Sequence, residues 1–133
     1  MIRLNQIYLH FFRSFYFTFE KSINQKGFNY YRFVLSNTSF NAPSSEPENS
    51  CYCTRDENID SIEGFCTENG ILDISHCNDN KPLFASAPHF YQGSELLLSR
   101  TKLKPNKKIH QTYTEVDPVR HSPLCSVFCN LLF

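Results

Sequence analysis

Phe15, Phe17 and Phe19 alternate with Tyr16, Thr18 and Glu20. A period of two suits an extended chain that turns one face to an apolar interior and the other to polar surroundings. The run predicts a strand over residues 14–20. The polar stretch 24–27, ending in Gly27, reads as a turn, and residues 30–35 as a second strand of aromatic and branched side chains. With 13 Phe, 7 Tyr and no Trp among 133 residues, the aromatic content leans the chain towards β structure, and the length is one domain's worth.

Further along, residues 41–50 (NAPSSEPENS) have loop composition, with nothing to bury. Residues 71–75 and 83–90 read as two short strands separated by the polar turn 78–81. Pro82 and Pro88 mark strand ends or edges, because proline cannot donate to a ladder. Residues 94–101 begin with Ser94 and Glu95 and continue into Leu96, Leu97 and Leu98, the pattern of a short capped helix. Residues 109–116 read as the last strand. No internal repeat is evident.

Charge excludes some functions. The net charge is zero, but residues 1–40 carry +4, residues 41–80 carry −8 and residues 81–133 carry +4, so no part reads as a nucleic-acid binder. Lys102, Lys104, Lys107 and Lys108 surround Pro105 and Asn106 without interleaved aromatics. They read as a solvated loop, with an anionic-ligand or membrane-surface patch as the sharper alternative. The apolar run IYLHFFRSFYFTF is interrupted by Arg13 and is shorter than the roughly 20 residues that span a bilayer. It also lacks the small-residue cleavage site of a secretory signal.

Catalytic chemistry is poorly supplied. His89, Asp73 and Ser86 could be drawn as a hydrolase triad, but there is no Gly-x-Ser-x-Gly turn, and four glycines in all give no phosphate or oxyanion loop. His89, in PHFY, and His110, in IHQTY, read as packed histidines rather than bases. Asp56, Glu57, Asp60 and Glu63 lack the alternate spacing and central glycine of a calcium loop. The expectation is a protein that is not an enzyme and needs no cofactor.

Cys51, Cys53, Cys66 and Cys77 crowd one short stretch. Such density outside a metal-finger spacing points to disulfides formed in an oxidising compartment. Together with His76 and His89 they could supply ligands for zinc, but the two short chelating loops of known structural sites are absent. Asn37, followed by Thr38 and Ser39, is an N-glycosylation acceptor directly after a predicted strand. Asn49-Ser50-Cys51 is only the rare cysteine variant.

The segments RSFYFTFE, NQKGFNYYRFVLSNTSFNAP, CYC, Cys66, GILDISHC, PLFASAPHFYQG and LKPNKKIHQTYTEVDP follow one another in one fixed order. In that order and spacing the chain resembles the membrane-distal part of the class B scavenger receptor family, which includes fatty-acid translocase and the lysosomal receptor for glucocerebrosidase. The likeness covers residues 13–119, leaving residues 1–12 as an N-terminal segment and 120–133 as a C-terminal tail without a match. It implies a mainly β fold with short helices (α+β), an incomplete part of a twisted antiparallel β-barrel ectodomain. It also implies a membrane protein, of the plasma membrane or lysosome, with this segment on the extracellular or lumenal side. The family's hydrophobic tunnel implies lipids or lipoproteins as partners, bound and transferred without covalent chemistry.

The resemblance also implies a local disulfide between Cys53 and Cys66. On the entropic account its closure would stabilise the fold by about 3 kcal/mol. Cys51 and Cys77 lack the family's partners. No cysteine precedes Cys51, and Phe12 stands where the partner of Cys77 is expected. The pairing of Cys51, Cys77, Cys125 and Cys129 stays open.

Departures from the family are expected to matter. Both membrane spans and the apical helices are missing, VRHSPLCSVFCNLLF replaces the usual continuation, and strands without neighbours would leave edges open to aggregation. This reads as a fragment rather than an autonomous receptor. The alternatives are a small secreted, disulfide-stapled lipid-binding or decoy protein, or a non-functional truncated product.

Overall fold

A computed structural model describes residues 3–8, 13–52, 68–75, 79, 81–119, 123–127 and 131–132. The alternating phenylalanines lie on β2 (Arg13–Gln25), which runs beyond the expected 14–20. β2 pairs antiparallel with β1 (Arg3–Tyr8) on one side and β3 (Phe28–Leu35) on the other. The hairpin turn is made by Lys26 at φ 53° and Gly27 at φ 83°, the double positive φ that matches the twist of two antiparallel strands. Asn24 and Asn29 face each other across it, joined by a side-chain hydrogen bond of 2.9 Å.

A bulge lies between Phe19 and Lys21, where the β2–β3 register shifts. Phe15 and Phe17 are fully buried, whereas Phe19 is 38% exposed. The period-two expectation therefore holds for the first two phenylalanines and weakens at the third. Phe19 still packs edge-on against Tyr31 at 5.6 Å and Phe33 at 5.8 Å.

β4 (Ile71–Asp73) and β5 (Phe84–Ser86) form the expected second pair of short strands. The predicted strand 83–90 ends early. Pro88 starts a 3-10 turn over Pro88–Phe90, and His89 and Phe90 both take positive φ, near 51° and 52°. α1 (Glu95–Thr101) is the capped helix read from the sequence, with Ser94 Oγ accepting from the Leu97 N–H at 3.1 Å.

Residues 109–116 do not form one strand. The first two end α2 (Lys107–His110), which Asn106 caps by accepting from the Lys108 N–H at 2.9 Å, and only β6 (Tyr113–Val116) is extended. Nor is β6 the last strand. β7 (Pro123–Val127) pairs with it, and β8 (Leu131–Leu132) pairs with β5.

The strands make two antiparallel sheets, in the orders β1-β2-β3-β6-β7 and β4-β5-β8. Among the described residues neither closes into a barrel. A single core draws on both: Phe15, Phe17, Phe33 and Leu35 from the larger sheet, Phe40 from the following turn, and Leu72, Ile74, Ala85 and Ala87 from the smaller sheet and its flanks. Burying an aromatic side chain of this kind stabilises by about 2–3 kcal/mol, so these phenylalanines dominate the attachment of one sheet to the other. The fold is mainly β with short helices, as the sequence implied.

Candidate functional site

Two places carry chemistry beyond ordinary packing. The first is the apolar side of β2 and β3. There Phe15 lies 5.6 Å from Phe40, and Phe19 and Tyr31 extend the aromatic surface to solvent. Near the hairpin end an open cleft of about 560 Å³ is lined by Phe28, Tyr31, Pro118 and Val119 together with polar groups. A second, of about 460 Å³, lies on the face of these strands opposite Phe15 and Phe17, beside Tyr16, Thr18, Val34, Glu46 and Glu48. The rings of the first cleft offer dispersion and desolvation to an apolar ligand, whereas the second is lined mostly by polar groups.

β3 and β6 also carry an ion pair. Arg32 donates through both Nε and Nη2 to Glu115 Oε1, and its guanidinium lies 4.1 Å from the centroid of the Tyr113 ring. Glu115 is only 7% exposed. Its carboxylate is tolerated there because a delocalised cation satisfies it directly across the strand pair.

The second place is the corner where the Pro88–Phe90 turn meets α2. The His89 and His110 rings stack with centroids 4.0 Å apart and planes 11° from parallel. His110 Nδ1 accepts from the Asn106 N–H at 2.8 Å. Partial burial and then the neighbouring His89 hold the His110 pKa below its ordinary value. Lys107 Nζ reaches Glu20 on β2 at 3.2 Å, tying α2 to the large sheet.

Beside this corner the backbone approaches itself closely. Gly70 has φ 103°, and a Cβ placed there would lie 2.3 Å from Gly93 Cα. Two hydrogen bonds of 2.8 Å fix the crossing, Gly70 N–H to Phe40 C=O and Ser94 N–H to Asn69 C=O.

The structure separates the conceivable triad. Asp73 Oδ1 accepts from the Ser75 N–H and hydroxyl, Ser86 Oγ donates to the Ala87 carbonyl, and His89 lies against His110. Asn37 is exposed in the turn after β3. Asn49, by contrast, is buried with its amide nitrogen donating to the carbonyls of Thr38 and Asn41. Lys102, Lys104, Lys107 and Lys108 are all exposed.

Cys51 is an exposed free thiol 3.6 Å from the Glu48 carbonyl. Cys53, Cys66, Cys77 and Cys129 lie outside the described residues, as do His76 and the acidic run Asp56 to Glu63. The Cys53–Cys66 bridge and most of the conceivable zinc and calcium ligands fall there too. Among the described residues no three His, Cys, Asp or Glu side chains gather as a metal site. No helix among them is long and apolar enough to cross a membrane.

The histidine stack and the Arg32–Glu115–Tyr113 group were not legible as sites in the sequence. Both join residues far apart in the chain, and no local motif announces either.

Comparison with known proteins adds to this geometry. The family model described as "CD36 family" matches residues 6–125. Lysosome membrane protein 2 of Rattus norvegicus is 32% identical over 115 residues, covering 82% of this chain and 21% of that protein. Scavenger receptor class B member 1 of Sus scrofa is 36% identical over 104 residues, 77% of this chain and 18% of that protein. Sensory neuron membrane protein 2 of Heliothis virescens is 38% identical over 91 residues, 67% of this chain and 17% of that protein. The chain thus spans about a fifth of the length of these relatives.

Proposed function

The chain belongs to the CD36 family, and from that premise we propose that it is part of the ectodomain of a membrane receptor that binds lipids or lipoproteins and passes lipid along a hydrophobic tunnel. The observation that carries the reading is the family match over residues 6–125. Phe19, Phe28 and Tyr31, the aromatic side chains that β2 and β3 leave open to solvent beside the buried core, are the part of the wall this segment would contribute. No covalent step is needed, since an apolar conduit works by desolvation and shape.

Three assignments accompany the proposal. Residues 13–119 form the ectodomain portion. Cys53 and Cys66 form a local disulfide on the oxidising side of the membrane. Asn37 carries a glycan, supported by its exposure in a turn.

Photo-crosslinking tests the lipid reading. Cells producing the complete gene product that contains this segment are labelled with a photoactivatable fatty acid or sterol, and the labelled peptides are mapped. Label within residues 15–35 is the expected result. Label confined to other segments would remove these strands from the wall, and no label above that of an unrelated membrane protein would sink lipid binding altogether.

A further inference from the structure

We propose that His89 and His110 form an acid-released latch that holds the Pro88–Phe90 turn against α2, so that α2 opens when the pair takes up protons. The geometry requires a neutral His110. Its Nδ1 accepts the Asn106 N–H, and an imidazolium, which carries a proton on both nitrogens, cannot accept. Asn106 in turn caps α2 through Oδ1 and the Lys108 N–H. Asn106 and His110 therefore close a four-residue helix reciprocally, and protonation of one ring removes half of that closure. What then remains is the backbone bonding of a single turn and the Lys107–Glu20 pair.

The stack supplies the second element. A proton on both rings places like charges face to face at 4.0 Å. Among the described residues the charges on the flanking elements are mostly positive. α2 contributes the cations Lys107 and Lys108, the preceding loop contributes Lys102 and Lys104, and the 3-10 turn contributes His89 as its titratable group. From β2 comes Glu20, whose carboxylate is already engaged by Lys107. The lowered pKa of His110 agrees with this picture.

What the latch restrains is a turn in uncommon backbone conformations. His89, Phe90 and Gln92 all have positive φ, near 51°, 52° and 66°. A bulky residue such as Phe90 adopts that region only when its context enforces it. Release of His110 removes one of the contacts that enforce it.

The sign follows from linkage. The closed form favours neutral His110 and the open form titrates near the ordinary value of about 6.5, so the latch is closed above that pH and opens as pH falls below it.

The test is an NMR titration of the isotope-labelled full chain from about pH 7.5 to about pH 5, following the Asn106 and Lys108 amides and the His110 ring. The expected result is that both amides shift towards unstructured positions in step with His110. In His110→Gln this coupled step disappears. In His89→Phe, which keeps a ring in the stack without its charge, the step shrinks. The latch is overturned if the amides stay fixed while His110 titrates, if His110 stays neutral to the lowest pH, or if His110→Gln shows the same step. Should His110→Gln fail to fold, the unmodified chain and His89→Phe decide between the same outcomes.

Discussion

The β2–β3 hairpin and the segment from Pro88 to His110 solve the same problem by different physics. The hairpin is held by side chains that repeat. Phe15 and Phe17 fill the core, Phe33 and Leu35 face them across the ladder, and even the bulge at Phe19 and Lys21 leaves aromatic contacts intact. The Pro88–His110 segment is anchored at its start by buried Pro88 and Phe90, but its two helices bury no residue and are held by single polar contacts: the Ser94 and Asn106 caps, the Lys107–Glu20 pair and one imidazole acceptor. Apolar packing is insensitive to protons, whereas a cap that depends on an unprotonated nitrogen is not. The molecule thus joins a pH-indifferent body to a pH-responsive corner.

Several experiments would break or sharpen that contrast. The largest effect belongs to the hairpin's core. Phe17→Ala should cost about 4 kcal/mol, read as a fall in the urea midpoint of the full chain. A loss under about 1 kcal/mol would mean the site collapses around the cavity or that Phe17 is not central.

Gly70→Ala attacks the junction between the two regions. The new methyl group would meet Gly93 backbone at 2.3 Å on a residue with φ 103°. A loss of about 3 kcal/mol is expected, from strain and the displaced crossing. Unchanged thermal stability would show that the Asn69–Gly70 and Gly93–Ser94 backbones are free to separate.

Arg32→Met removes the partner of Glu115 while keeping an apolar stem over Tyr113. It should cost about 2 kcal/mol, less than a fully buried broken pair because both groups retain some contact with water. Adding Glu115→Gln should recover much of that loss in a double-mutant cycle. Additive losses would show that the two residues act independently.

Smaller again is the cap. Ser94→Ala should lower stability by about 1 kcal/mol, and amide exchange should quicken at Leu97 and Leu98 before it does in β2. Uniform quickening would argue against a separately held α1.

The pH dependence is expected to be modest. The folded pKa of His110 is depressed, so its contribution is complete above the ordinary histidine value of about 6.5 and declines as pH falls below it. Unfolding midpoints measured in parallel for the unmodified chain and His110→Gln should diverge only on the acid side. Divergence on the alkaline side would reverse the assigned sign.

The same contrast explains what could be read from sequence. Alternation at Phe15 and Phe17, the serine start of α1 and the turn before β3 are local patterns with local consequences, and each is present. Phe19 failed as a fully buried position because a bulge breaks the period that the sequence continues. The strand expected over 109–116 failed because Asn106 caps a helical turn that Ile109 and His110 join. The strand expected over 83–90 stops at Ser86 because Pro88 starts a 3-10 turn, and nothing in PHFY announces positive φ at both His89 and Phe90. The family was legible because it rests on ordered motifs. The histidine stack was not, because only tertiary structure brings PHFY beside IHQTY.

The close crossing at Gly70 has a consequence for chain length. Phe40 and Gly70 are joined backbone to backbone, and the Asn69 side chain accepts from the Ala42 N–H at 2.9 Å. These bonds clamp both ends of the cysteine-bearing excursion onto the folded body. The two ends of the segment between Ala42 and Asn69 are thereby fixed relative to each other, so a change of length that reaches residues 40, 42, 69 or 70, or that displaces Asn49 from the Thr38 and Asn41 carbonyls, would break the stem that holds them.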